Sequence, residues 1–187
     1  MSHEIDTGPT VVCIDPYTPA LLQPLARALL WVNQAMVTLG MLALLVASVV
    51  LTSSVVSRYV VKASTDWQDE AAVFCLVGAT FMCSAFVQSL RGHVGIEAIA
   101  GLLPSAINRI RLVFVDVLGV LFCAFFSWKS WSLFHEALAE HQTTSSSWAP
   151  PLWIPYGLMA AGMTLLTLQL LVQLAARVNA LKKNGAL

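Results

Sequence analysis

The chain has 187 residues, 58% of them hydrophobic and only 11% charged, with ten Lys/Arg balancing ten Asp/Glu. Soluble domains carry about 25% charged residues, so this composition cannot cover a water-facing surface and excludes an ordinary soluble enzyme. The formal net charge of zero gives no electrostatic footprint for nucleic acid; an integral membrane protein is what remains.

Residues 1–26 hold Glu4, Asp6 and Asp15 together with Pro9, Pro16, Pro19 and Pro24. An acidic, proline-punctuated start without a basic n-region is not a cleavable signal peptide, so the chain is expected to begin with a tail and to keep its first span. The first charge-free interval runs from Ala28 to Ser57, between Arg27 and Arg58, and the second from Ala71 to Leu90, between Glu70 and Arg91. About 20 helical residues rising about 1.5 Å each cross a hydrocarbon core of about 30 Å. The intervals therefore predict spans at about 31–55 and 69–90.

In the next connection Ile96, Ile99 and Leu103 recur at i, i+3 and i+7 before Pro104 breaks the pattern. This predicts a short amphipathic helix over about 94–103, lying flat at the interface. An irregular loop packed on the helices is the competing reading, because the glycines in the segment weaken a helix.

The third span, about 110–134, contains Asp116. A mid-membrane Asp costs about 2.5–3.5 kcal/mol, whereas each Leu, Ile, Val or Phe returns about 0.3–0.6 kcal/mol. The Leu, Val and Phe residues between Leu112 and Phe126 outweigh it, and Asp116 lies near one end. The connection that follows runs from His135 through Thr143–Ser147 to Trp148-Ala-Pro-Pro-Leu-Trp-Ile-Pro155, a rigid non-helical approach to a fourth span at about 153–176. Trp148 and Trp153 are expected at the interface, where an indole buries its ring and still hydrogen-bonds.

Four continuous apolar runs predict an all-α protein, since lipid offers the backbone no partners and alternation is missing. The four-span domain would cover 27–177, with tails at 1–26 and 178–187. Arg27, Arg91, Arg109, Arg111, Arg177, Lys182 and Lys183 fall on one side; Arg58, Lys62 and Lys129 fall on the other. The excess of basic residues puts both termini in the cytoplasm. There is no internal repeat or pair of broken spans of the kind many carriers show, which favours a subunit over a complete carrier.

Few residues suggest chemistry. His135, Glu136, Glu140 and His141 could bind zinc only if their loop wrapped around it, since their spacing is not a helical i, i+4 His pair. A haem between helices needs facing axial histidines, and His3, His93, His135 and His141 lie at or beyond span ends. No cofactor, metal or disulfide is therefore expected of this chain; Cys13, Cys75, Cys83 and Cys123 form no Cys-x-x-Cys pair. Ala71, Cys75, Ala79 and Cys83 make a small-residue row on span two, and Gly157 and Ala161 could do the same on span four, which lets another helix approach closely. Arg58, Asp66, Trp67, Asp69 and Glu70 gather at the outer end of spans one and two. Carboxylates there suit the positive end of a helix dipole; contact with a partner is the functional alternative.

These residues resemble the DctQ-type small membrane subunit of tripartite ATP-independent periplasmic (TRAP) transporters. The likeness rests on Arg58-Tyr59 closing span one and Trp67-Gln-Asp-Glu70 opening span two. Gly78, Arg91-Gly-His-Val-Gly-Ile96, Leu103-Pro104 and Pro151-Leu-Trp-Ile-Pro155 with Gly157 follow in order. The resemblance implies a non-catalytic protein of the bacterial inner membrane that braces a large multi-span subunit during sodium-driven uptake of an organic acid. A periplasmic binding protein would deliver that solute. On this reading Arg58, Trp67, Asp69 and Glu70 hold the outer ends of spans one and two and touch the binding protein, while Arg91 and His93 cap the inner end of span two. An unrelated four-helix scaffold or assembly factor, or a haem- or quinone-linked membrane subunit, are the rival readings.

Overall fold

The computed structural model describes residues 18–60, 62, 65–90 and 105–183, with backbone alone for 105–110. A 3-10 turn, Ala20–Leu22, leads into helix α1, Gln23–Val60; α2 covers Asp66–Ser89, α3 Ser105–Ala139 and α4 Trp153–Lys183. Among the described residues, four helices are long and apolar enough to cross a membrane, and the one β feature is an isolated bridge, Thr143 to Pro151. The expected interfacial helix at 94–103, with Arg91 and His93, lies outside the described residues, as do Cys13 and most of the N-terminal tail.

Local sequence explains the helix starts. Pro24 and Pro155 sit in the first turns of α1 and α4, where a missing N–H costs nothing and the fixed φ suits a helix. Asp66 and Asp69 occupy the first turn of α2, where negative charge meets the positive end of the helix dipole.

The helices pack in a row. α1 lies on α2, α2 on α4, and α4 on α3; α1 touches α4 only slightly, and α3 has no substantial contact except with α4. Connections 60–66 and 139–153 share one end of the row, the hairpin end. The start of α1 and the end of α4 share the other, the terminal end. There Ala26 and Leu29 of α1 meet Val172 of α4, with Leu165 and Leu168 against them.

Buried positions repeat every seven residues. They are Ala26, Asn33, Gly40, Ala47 and Ser54 on α1, and Pro155, Gly162, Gln169 and Ala176 on α4. Thr65, Ala72 and Ala79 follow the same spacing along α2, and Cys123, Ser130 and Ala137 along α3. A seven-residue period on a 3.6-residue helix gives shallow, left-handed crossings, and small side chains let the backbones close in. The contacts are tight at two glycines. A Cβ on Gly40 would collide with the Cys83 sulfur and lie 3.6 Å from the Ala79 Cα, while a Cβ on Gly162 would collide with the Phe81 carbonyl group.

The α3–α4 connection is tied to itself. The Thr144 N–H donates to Pro150 O at 3.1 Å and the Leu152 N–H to Gln142 O at 2.9 Å. His141 and Ala149 adopt φ of 51° and 46°, and the Ala149 N–H donates to Ser146 Oγ at 3.2 Å.

Candidate functional site

Polar side chains within the row fall into two layers. At the hairpin end, Arg58 of α1 reaches over to α2: its Nη2 lies 2.8 Å from Asp69 Oδ2 and donates to Thr65 Oγ1 at 2.8 Å. Ser54 Oγ donates to the other Asp69 oxygen at 3.0 Å. Ser54 and Thr65 are buried, whereas the Arg58 and Asp69 side chains are 59% and 47% exposed. Ordering by the buried hydroxyls therefore matters more here than the half-solvated ion pair, which contributes about 1 kcal/mol at most.

At the terminal end, three residues of α4 placed i, i+4 and i+8 each hold a different helix. Gln169 accepts from Asn33 Nδ2 of α1 at 3.2 Å. Gln173 accepts from Gln88 Nε2 of α2 at 2.8 Å and donates to the Gln88 carbonyl at 2.9 Å. Arg177 Nη1 lies 2.9 Å from Asp116 Oδ2 of α3 and donates to Leu112 O at 3.1 Å. Asn33 is fully buried. Nearer the middle, Thr164 of α4 bonds Ser127 at 3.0 Å and accepts from Trp131 Nε1 of α3 at 3.0 Å. α4 is thus the hub of the row.

The layers are separated by one hydrocarbon thickness. From Asp69 to Gln88 along α2 is about 28 Å at 1.5 Å per residue, against a core of about 30 Å.

The structure brings together four of the residues marked in the sequence. Arg58 meets Asp69, and Trp67 meets Trp148 edge-on with ring centroids 6.4 Å apart. Ser147 Oγ also donates to Asp66 Oδ2 at 3.4 Å, so the α3–α4 connection touches the first turn of α2. Trp153 is 41% exposed. Glu70 stands apart: its Oε2 is buried without a hydrogen-bond partner among the described residues. In the small-residue row, Ala79 and Cys83 face Gly40 of α1, whereas Cys75 lines an apolar groove and Ala71 is half-buried. Gly157 abuts the Phe134 ring of α3, which a Cβ would approach to 3.1 Å, and Ala161 is half-buried. Cys75, Cys83 and Cys123 are free thiols. His135 packs its ring beside Trp131 and Phe134, and no metal-binding group of three or more His, Cys, Asp or Glu forms among the described residues.

Sequence reasoning missed Asn33, Gln88, Gln169, Gln173, the Arg177–Asp116 pair, and the glycines Gly40 and Gly162. The signal was available for the pair, since an acid inside one span and a base ending another at the same membrane face are natural partners. The amides, four residues apart on α4, were legible only with a neighbour to point at.

The groove, about 490 Å³, lies between α1, α2 and the start of α4, with Gly40, Ala43, Gly78 and Ala79 among its lining. Its apolar walls offer orientation to no polar solute. Asn33, Ser54, Arg58, Gln88, Gln169, Gln173 and Arg177 are spent on joining helices, an arrangement suited to holding a shape.

The family model for the DctQ component of tripartite ATP-independent periplasmic transporters matches residues 47–180. No curated protein and no solved structure matches the chain.

Proposed function

The chain belongs to the DctQ family, the small membrane component of tripartite ATP-independent periplasmic transporters, and from that premise we propose that it is the static brace of a sodium-driven importer for an organic acid. A large multi-span subunit carries the solute and ion sites and performs the movement. A periplasmic binding protein brings the solute to the outer face. The chain sits in the bacterial inner membrane with both termini in the cytoplasm, so the hairpin end faces the periplasm. The seven-to-three distribution of Lys/Arg between the two ends supports that orientation.

The observation that carries the reading is the family match over 47–180, which takes in the last third of α1, the whole of α2 and α3 and most of α4. Physical support comes from the cross-helix bonding: each neighbouring pair in the row is joined by side-chain hydrogen bonds or an ion pair. A brace must resist shear while another subunit moves. Fixed polar partners at both ends of α2 do so better than dispersion contacts, which tolerate sliding. At the periplasmic end, Arg58, Trp67, Asp69 and Glu70 form the surface offered to the binding protein. Arg91 and His93 cap the cytoplasmic end of span two, next to a flat helix at 94–103.

The test is co-production with the two products of the adjacent genes. The expected result is a membrane complex of this chain with the larger hydrophobic protein, and sodium-dependent solute uptake that needs all three components. Uptake by this chain alone, or undiminished uptake without it, overturns the proposal.

A further inference from the structure

The row has two free outer helices, α1 and α3, and their exposed surfaces differ in chemistry. On α3 the exposed side chains include Phe114, Leu118, Leu121, Phe122 and Phe125, a surface that lipid tails cover at no cost. On α1 a second seven-residue pattern lies about 120° around the axis from the buried one at 100° per residue: Gln34, Thr38, Met41, Leu45, Ser48 and Thr52, alternating by four and three. All six are exposed. This is the spacing by which the helices of the row pack on one another, yet none of the described helices lies on it.

The hydroxyls of Thr38 and Thr52 donate to the carbonyls of Gln34 and Ser48 at 2.9 and 2.8 Å, the local bond such groups make in an apolar medium. The Gln34 amide has no hydrogen bond among the described residues. Elsewhere around α1, the exposed Leu39, Leu42, Val46 and Val49 form an arc whose one hydroxyl, Ser53 at its end, bonds to Val50 O at 2.8 Å. Lipid contact would not gather an amide and three hydroxyls on one arc and leave its neighbour with Ser53 alone. A protein helix would, because small and polar residues at heptad spacing are what membrane helices use to approach and bond one another.

We infer that this arc of α1 is the seam for a transmembrane helix of the large membrane subunit, with Gln34 bonding a polar group on that helix, and that the outer face of α3 is turned to lipid. The inference rests on the proposed function for the existence of that subunit and adds which face it occupies.

A benzophenone side chain is introduced in place of Leu45 or, as the control, Leu118, and membranes holding the co-produced large subunit are illuminated. Position 45 should yield an adduct with the large subunit and position 118 should not. In parallel, Gln34→Leu should lower recovery of the pair about threefold, the worth of an average interhelical hydrogen bond, while Leu118→Ala should leave it unchanged. Adducts with lipid alone from position 45, adducts between two copies of this chain, or a large-subunit adduct from position 118 each overturn the inference. Co-purification of the unsubstituted pair separates the two proposals. Without it the functional reading fails and takes the seam with it; with it, a silent position 45 defeats the seam alone.

Discussion

Replacing Arg177 by methionine keeps the apolar stem and removes the charge that faces Asp116. The pair is close, 2.9 Å, and only 23% and 18% of its two side chains is exposed. Breaking a buried pair by removing one partner costs about 3–5 kcal/mol. Asp116 lies near the terminal end of α3, which the proposed topology puts at the edge of the hydrocarbon, so the cost here should fall to roughly 1.5–3 kcal/mol. For a chain of this length that is a loss of roughly 3–12 °C in the unfolding midpoint, read as monodisperse protein surviving heating in detergent. Asp116→Asn should cost less, because the long Arg177 side chain can turn its guanidinium to the interface. The double variant, with neither charge left stranded, should recover most of the loss from Arg177→Met. Additive losses in the double variant would refute the pairing argument, since coupled residues in contact deviate from additivity by about 0.5–3 kcal/mol.

Gly162→Ala should part α2 from α4 and cost about 1–3 kcal/mol of overpacking, because the added methyl meets the Phe81 carbonyl group. Gly119→Ala, with nothing within 4 Å of its Cβ, should instead stabilise α3 by about 0.4–1 kcal/mol; both are measured by the same heating assay, and equal effects would contradict the packing described. Glu70→Gln should leave membrane insertion intact and reduce complex recovery or uptake, and full transport by that variant would remove Glu70 from the interface. Deleting residues 94–103 should lower co-purification with the large subunit, and unchanged recovery would argue against an interfacial helix there. Reporter fusions should place both ends of the chain on the cytoplasmic side, an arrangement that ends mapped to opposite faces would refute.

The spans were legible because membrane insertion is decided by gaps between charges, and the gaps between Arg27 and Arg58 and between Glu70 and Arg91 are long. The row was not. Its helices are apolar around most of their perimeter, so amphipathic periodicity cannot say which face is buried. The seven-residue repeat from Ala26 to Ser54 is carried by small and polar residues scattered among Leu and Val, and it shows only once burial is known. Gly157 and Ala161 were visible as a small pair, while the closest backbone approach fell on Gly162 next to them; composition shows that helices can meet but not on which turn. Asp116 was weighed as an insertion cost and Arg177 as part of a basic end. The interaction that joins them needed three dimensions.

The serial arrangement bears on how the molecule is made. Since α1 bonds chiefly to α2 and α3 to α4, each helix has a partner within its own half of the chain as it leaves the ribosome. The first pair can close through Ser54, Arg58 and Asp69 before the second has been translated. One late docking event, Phe81 against Gly162 and Gln88 against Gln173, then completes the molecule, so synthesis proceeds through two short-range steps and a single long-range one.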